Sequence, residues 1–155
     1  MPIVFIGDDH HRYFQEKQAE TLSERSEDLQ VLYWPTVGLE IFKQLDELAA
    51  EDKLLLIASR HGAIPVVHWT ARNPSKVRKQ ILLHPSLHLN IPGLEAPESH
   101  FIPTMVFCHS KVASPSHEEI ATLAGKLFHD YSVHLSTEPA ELTSTLRLLA
   151  LRWTE

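Results

Sequence analysis

The chain has 155 residues, 43% of them hydrophobic and 22% charged, which is typical of a globular protein with one core of ordinary size. Its formal net charge is −6 and it has no run of lysine or arginine, so we expect neither nucleic acid nor an anionic membrane surface as a partner. No apolar run reaches the roughly 18 residues that span a bilayer, the first residues lack a signal peptide's charged leader, and Cys108 is the sole cysteine, so we predict a cytoplasmic protein.

Short apolar runs alternate with helical patterns along the chain. In chain order, the predicted elements are strand 2–6, helix 12–25, strand 29–33, helix 38–50, strand 54–58, helix 62–72, strand 80–83, a loop over 84–101, strand 103–108, a helix capped by Ser116, strand 131–135 and a closing helix striped by Leu142, Leu146, Leu149 and Trp153. Because the strands are apolar on both faces and separated by helices, we predict one three-layer α/β/α domain over residues 1–155, with a parallel sheet covered on both sides.

The segment 53–63 has the pattern of a nucleophile elbow, a sharp turn that lifts one side chain out of a sheet between a strand and a helix. Such a turn needs small residues two positions before and after its tip, and Ala58 and Gly62 meet that need around Arg60. A tip at Ser59 or at His61 fits the small residues less well. An arginine side chain does not lose its proton in a protein, so Arg60 cannot act as a nucleophile.

Other segments keep the order and spacing of one enzyme family. They are G-D-D-H-H at 7–11, V-H-W at 67–69, V-x-x-x-I-L-L-H-P at 77–85, F-I-P-T-M-V-F at 101–107 and E-P-A-E at 138–141. With an elbow after the third strand, the chain resembles small lidless serine hydrolases of the α/β-hydrolase superfamily, such as the retinoblastoma-binding serine hydrolase group. The resemblance implies about six parallel strands in the order 2-1-3-4-5-6.

The same resemblance implies that the catalytic triad is degenerate. The family's serine position falls on Arg60, and its acid turn falls on residues 109–114, which contain no carboxylate. Its histidine position falls on Ser136 and Thr137, while the nearest imidazole, His134, is still within the last strand. Serine-hydrolase activity by the family's mechanism is therefore not expected, because loss of one triad member lowers the rate by several orders of magnitude.

Eleven histidines are present, and several of them follow predicted strands together with two carboxylates. This group comprises Asp8, Asp9, His10, His11, His61, His84, His88 and His109. The carboxyl ends of parallel strands share one edge of a sheet, so these side chains could line a pocket, shuttle protons or bind zinc. The spacings H-E-x-x-H, H-x-H and C-x-x-C do not occur, so we predict neither a metal nor a cofactor.

Two functional hypotheses remain open. In the first, the protein is a non-catalytic hydrolase-fold protein that binds a small anionic ligand or a partner protein, and the predicted ligand-binding residues are Asp8, Asp9, His10, Arg60, His61, His84 and His109. In the second, it is a hydrolase for a small ester or amide with a non-standard or metal-assisted site, and the candidate bases are His61, His10 and His109.

Two residues and one edge strand have alternative interpretations. Arg60 could bind an anion, or it could pair with a carboxylate such as Asp8 and close the site. Cys108 stands next to His109, but neighbouring residues in a strand point to opposite faces, so we expect a buried, inert thiol. The last strand would be an edge, where a homodimer could form.

Overall fold

The computed structural model describes residues 2–24, 28–34, 39–137 and 145–146. The strands are β1 (Ile3–Asp8), β2 (Leu29–Trp34), β3 (Leu54–Ser59), β4 (Val77–Leu83), β5 (Thr104–His109) and β6 (Tyr131–Ser136). The helices are α1 (Arg12–Ser23), α2 (Glu40–Leu48), α3 (Ala63–Arg72) and α4 (His117–Leu127), and short 3-10 turns lie at Arg60–Gly62 and Pro74–Lys76. No helix within these ranges has both the length and the apolar character needed to cross a membrane.

Within the described residues, six parallel strands form one sheet in the order β2-β1-β3-β4-β5-β6. This confirms the predicted fold class and strand order. All six positions of β1 and of β3 are buried, as expected of central parallel strands with helices on both faces.

The two faces of the sheet carry separate apolar clusters, and alternate strand residues enter each. Val4, Ile6 and Leu56 pack with residues of α2, α3 and α4. Phe5 and Ile57 pack on the other face with residues of α1. This alternation follows from the two-residue period of a β-strand.

Most of the predicted helices and strands are observed, but the start of β4 and the buried face of α1 differ from the prediction. β4 begins at Val77 rather than at residue 80. The prediction missed its first residues because Arg78 and Lys79 are charged and exposed, and they interrupt the apolar run that indicates a strand. On α1 the sequence pattern predicts a weak apolar face through Phe14, Gln18 and Leu22. The buried residues are Gln15, Gln18, Ala19 and Leu22, and Phe14 is partly exposed. Of the closing helix stripe, Leu146 is buried in the second cluster, while its other members lie outside the described residues.

The connection from β4 to β5 contains no α-helix across residues 84–103, all of which the structure describes. The predicted loop is thus observed. The predicted cap of α4 by Ser116 is also observed, since Ser116 Oγ accepts a hydrogen bond of 3.2 Å from the Glu119 amide.

Gly62 lets the turn after β3 lie against the backbone of β1. A Cβ atom at this position would overlap the Ile6 carbonyl oxygen and would lie 2.8 Å from the Ile6 carbonyl carbon and 3.0 Å from the Gly7 oxygen. Backbone atoms of a central strand cannot give way as a flexible side chain can. The turn therefore requires glycine for space, although its φ angle of −60° is open to any residue.

We predict that Gly62→Ala lowers the free energy of unfolding by about 2 kcal/mol or more, because the methyl group overpacks against β1. Chemical denaturation followed by circular dichroism measures the change. Gly125→Ala in α4 is the matched control. There the new methyl group meets the Tyr131 hydroxyl at 3.1 Å, and the gain in helix propensity, up to about 1 kcal/mol, opposes any loss. Equal destabilisation of the two variants would contradict the prediction.

Candidate functional site

The turn after β3 has the geometry of an elbow, and Arg60 is at its tip. Arg60 has a φ angle of +54°, a left-handed conformation that residues other than glycine seldom adopt. Ala58 and Gly62, the two flanking small residues, are buried. We call residues 58–62 the elbow. Its strained backbone is the kind of feature that persists only where the surrounding structure holds it in place.

The buried carboxylate of Asp8, at the end of β1, is bonded to the elbow. Asp8 Oδ2 accepts a hydrogen bond of 3.0 Å from the backbone amide of His61. Asp8 Oδ1 accepts bonds of 2.9 Å and 3.1 Å from the amides of His10 and His11. One carboxylate therefore collects three main-chain donors from two loops that are about 50 residues apart in the sequence.

Two side chains of the β1–α1 region complete the shell around Asp8. His11 Nδ1 donates to both carboxylate oxygens, at 3.0 and 3.1 Å. Gln15 Nε2 donates to Asp8 Oδ2 at 3.0 Å and to the Ser59 carbonyl at 2.9 Å, while Gln15 Oε1 accepts from the Asp8 amide at 2.7 Å. Gln15 thus joins α1, β1 and the elbow. Sequence reasoning missed it, because a glutamine in an amphipathic helix gives no sign of a partner 44 residues away.

The charge state of Asp8 follows from these contacts. Burial by itself would raise the pKa of its carboxyl group, but hydrogen bonds from His11 and Gln15, with the nearby His11 and His61 rings, outweigh burial and lower the pKa to about 2. Asp8 is therefore an anion at neutral pH. It is fully buried in the described structure, with a side-chain exposure of 0%.

His61, the residue after the tip, pairs with a serine that the sequence analysis did not identify. Its Nδ1 lies 2.7 Å from Ser86 Oγ, and the Ser86 amide donates to the Arg60 carbonyl at 3.1 Å. The His61 ring also lies edge-on to the rings of His11 and His10, with centroids 4.9 and 5.8 Å away. Burial is the main cause of a lowered His61 pKa, and nearby imidazoles add to it against the opposing effect of Asp8. His61 is thus a neutral imidazole at pH 7.

Arg60 lies partly exposed beside this cluster. Its guanidinium carbon is 5.4 Å from the centre of the Phe14 ring, within the range of a cation–π contact. Asp9 is exposed and its Oδ1 is 3.9 Å from an Arg12 nitrogen. His10 is exposed as well. Of the predicted ligand-binding residues, the structure therefore brings together Asp8, His10, Arg60 and His61.

His84 and His109 form a separate buried pair. His84 Nδ1 accepts a bond of 3.0 Å from the His109 amide, and His84 Nε2 donates to the Pro115 carbonyl at 2.8 Å. His109 Nδ1 in turn accepts from the Lys111 amide at 3.1 Å. Both ring nitrogens of His84 are thus committed to the main chain, where they hold the loop after β5. The histidines predicted to line one pocket therefore form two groups, with His10, His11 and His61 at the elbow and His84 paired with His109.

No protein-family model matches the chain, and no curated protein matches its sequence. Solved structures do match it. The monoacylglycerol lipase of Paleococcus ferrophilus has a TM-score of 0.67 at 13% identity, over 97% of this chain and 93% of the lipase. Est1E from Butyrivibrio proteoclasticus has a TM-score of 0.64 at 12% identity, over 97% and 87%. The pyrethroid hydrolase PytH has 0.68 at 11%, over 100% and 99%. The chain has the α/β-hydrolase fold.

Within an α/β-hydrolase fold, the amide at the His61 position has a known use. In enzymes of this fold the backbone N–H after the nucleophile, together with an N–H from a neighbouring loop, forms the oxyanion hole. In this chain the His61 amide, along with the amides of His10 and His11 after β1, donates to Asp8. The Asp8 carboxylate therefore accepts the hydrogen bonds of the amides at these positions in this chain.

Cys108 does not add a nucleophile to the site. Its side chain is fully buried in the first apolar cluster, and burial raises the pKa of its thiol to about 11. The thiolate is therefore scarce at neutral pH, which agrees with the predicted inert thiol. Among the described residues, no three side chains of His, Cys, Asp or Glu are placed together as a metal ion would need.

The lowered pKa of Asp8 makes stability depend on pH in a defined window. The folded pKa of about 2 lies below the ordinary aspartate value of 3.8, so the carboxylate's contribution is present above pH 4 and is lost as the pH falls toward 2. We predict that the free energy of unfolding drops by about 2 kcal/mol across that window in the wild type. Denaturant titrations at pH 5, 4, 3 and 2 measure the drop.

Asp8→Asn should be less stable at pH 6 and should lack this part of the pH dependence, because an amide nitrogen would face main-chain donors. Asp9→Asn, an exposed neighbour, is the control and should follow the wild type. If Asp8→Asn and Asp9→Asn gave the same pH profile, the buried charge at Asp8 would not have the effect that we derive.

Proposed function

We propose that this chain is a single-domain α/β-hydrolase-fold protein without serine-hydrolase turnover at its elbow, and that it binds a small anionic ligand beside Arg60. The observation that carries the proposal is the arginine at the elbow tip, a cation in the place of a nucleophile. The Asp8 carboxylate on the His61 amide supports the loss of turnover. The site has the elbow backbone of the hydrolase fold, but it has a cation at the tip and a buried carboxylate at the amide that follows.

The lost turnover is supported at each catalytic position. Arg60 cannot give up a proton and cannot attack a carbonyl. The fixed negative charge of Asp8 would repel an oxyanion forming near the same amides, whereas catalysis there depends on donors that stabilise it. The turn after β5 has no carboxylate, and Ser136, the last residue of β6, stands where the resemblance places the triad histidine.

The binding role is supported by the charge at the surface of the site. The Arg60 guanidinium is always protonated and is half-buried beside the Phe14 ring. The exposed ring of His10 lies next to that of His61, the residue after Arg60. A carboxylate or phosphate could accept two parallel hydrogen bonds from the guanidinium. The amides behind it would take no part, because Asp8 already uses the His61 amide and the Ala63 amide donates within the turn.

Anion binding at Arg60 is tested with inorganic phosphate and acetate as probes. We expect millimolar phosphate to raise the melting temperature of the wild type and to shift amide resonances of residues 10–15 and 59–62. Arg60→Ala should remove both effects, since the guanidinium is the charged group of the site. Arg12→Ala is the matched control, because Arg12 is an exposed arginine nearby that stacks on Tyr33. An equal response of the wild type and Arg60→Ala would refute the proposal.

One observation favours a second candidate, a non-standard hydrolase. The 2.7 Å contact between His61 Nδ1 and Ser86 Oγ is a nucleophile–base distance. His61 would take the Ser86 proton as Oγ attacks an ester carbonyl. The alcohol would leave with that proton, and water would then hydrolyse the acyl-serine. The arrangement has no identified oxyanion donor, because the Ser86 amide is bonded to the Arg60 carbonyl, so we rank it second.

Hydrolysis of 4-nitrophenyl acetate separates the two candidates. We expect the wild type, Ser86→Ala and His61→Gln to share the same background rate, as the first candidate requires. A wild-type rate at least tenfold above that of Ser86→Ala, with covalent labelling of Ser86 by a fluorophosphonate, would instead establish the second candidate. Arg60→Ala serves as the control, because it changes the elbow tip and leaves the Ser86–His61 pair in place.

A further inference from the structure

A cavity lies behind the elbow, between α3, α4 and the β4–β5 connection. Its volume is about 180 Å³, and neither Arg60 nor His61 lines it. The connection over residues 84–103, which contains no α-helix, supplies one side of it. We call it the α3–α4 cavity. Its apolar wall includes Ala63, Ile64, Val67, Leu87, Leu123 and Leu127.

The size of the α3–α4 cavity indicates the size of its occupant. A cavity of about 150 Å³ lined by Leu, Ile and Phe holds one benzene molecule. The α3–α4 cavity, at about 180 Å³, has room for one such ring with a small substituent. Two of its lining residues, Leu89 and Asn90, are exposed, so the cavity opens to solvent on that side and a ligand can enter.

Charged and polar groups of the wall indicate the chemistry of the occupant. Lys126 is the one charged residue among the described lining residues, and it is exposed. The nearest carboxylates of the connection, Glu95 and Glu98, line the adjoining cavity rather than this one. Deeper in the wall are Ser86, which is 2% exposed, and His68, whose buried Nε2 has no hydrogen-bond partner in the described part of the chain. A cation at the mouth of an apolar chamber favours a ligand whose apolar body enters and whose anionic group stays at the rim.

We propose that the α3–α4 cavity binds a monocyclic aromatic carboxylate of the benzoate type. The ring occupies the space between Val67, Leu87 and Leu123, and the carboxylate lies at the mouth beside Lys126. This site is distinct from the anion site at Arg60 and does not depend on it. Ser86 connects the two regions, because it lines the cavity and also bonds to His61.

Benzoate, benzyl alcohol and benzylamine are suitable probes, since they share a ring and differ in charge. Amide chemical shifts of the full chain are followed by NMR at increasing probe concentration. We expect benzoate to shift residues 63–68, 86–97 and 123–127 with a millimolar dissociation constant, and benzylamine to bind at least threefold more weakly. Lys126→Gln should weaken benzoate about three- to fivefold, the effect of one exposed ion pair, and leave benzyl alcohol unchanged.

Ala96→Phe provides a second variant that does not touch the core. Ala96 is an exposed residue of the cavity wall, so a larger side chain there should block entry without disturbing the fold. It should weaken all three probes at least tenfold. Shifts confined to residues 8–15 and 59–62, abolished by Arg60→Ala, would overturn this inference and support the elbow site instead. Absence of any shift at 20 mM benzoate, or equal binding of benzoate and benzylamine, would also overturn it.

Discussion

The bond between the Asp8 carboxylate and the elbow amide is the interaction on which this site depends. Three main-chain donors, one imidazole and one side-chain amide converge on a single buried anion. A buried charge is stable only when it is paired and hydrogen-bonded, and this one has a complete set of partners. Through it, the end of β1, the start of α1 and the turn after β3 hold one another in position. The left-handed backbone at Arg60 is strained locally, and this network is what holds it.

The same network changes what the fold can do. An α/β-hydrolase elbow presents a nucleophile in front of free amide donors. Here the Arg60 guanidinium occupies the place of the nucleophile, and the Asp8 carboxylate accepts the hydrogen bond of the His61 amide behind it. His61, kept neutral by burial, adds an imidazole but no charge. In the proposed function the guanidinium at the front of the site holds an anionic ligand, and the charge of Asp8 opposes the oxyanion that acyl transfer would create. His84 and His109 do not alter this balance, since they serve the loop after β5.

Much of the fold could be read from the sequence, because it rests on local signals. Apolar strands between helices predicted the parallel sheet, and the small residues Ala58 and Gly62 predicted the turn. The resemblance to small serine hydrolases supplied the strand order. The site was less accessible. Gln15 and Ser86 act on partners that are distant in the sequence, and no spacing reveals such a contact. The partners of His84 are main-chain groups, which every residue possesses, so sequence alone could not separate it from the elbow histidines.

The burial of α3 determines how its amide protons reach solvent. Every residue from Ala63 to Thr70 is buried, so this helix is covered on more than one face, with the α3–α4 cavity beside it. Most of its amide protons meet water only when a neighbouring layer moves away, so their hydrogen exchange reports the opening of that face of the sheet. β6 has the opposite character, as an edge strand whose residues are mostly exposed. Protection from hydrogen exchange should therefore decrease from α3, where it is highest, to β6, where it is lowest. The elbow and the α3–α4 cavity both adjoin α3. A ligand at either site would therefore bind to a part of the molecule that is already rigid.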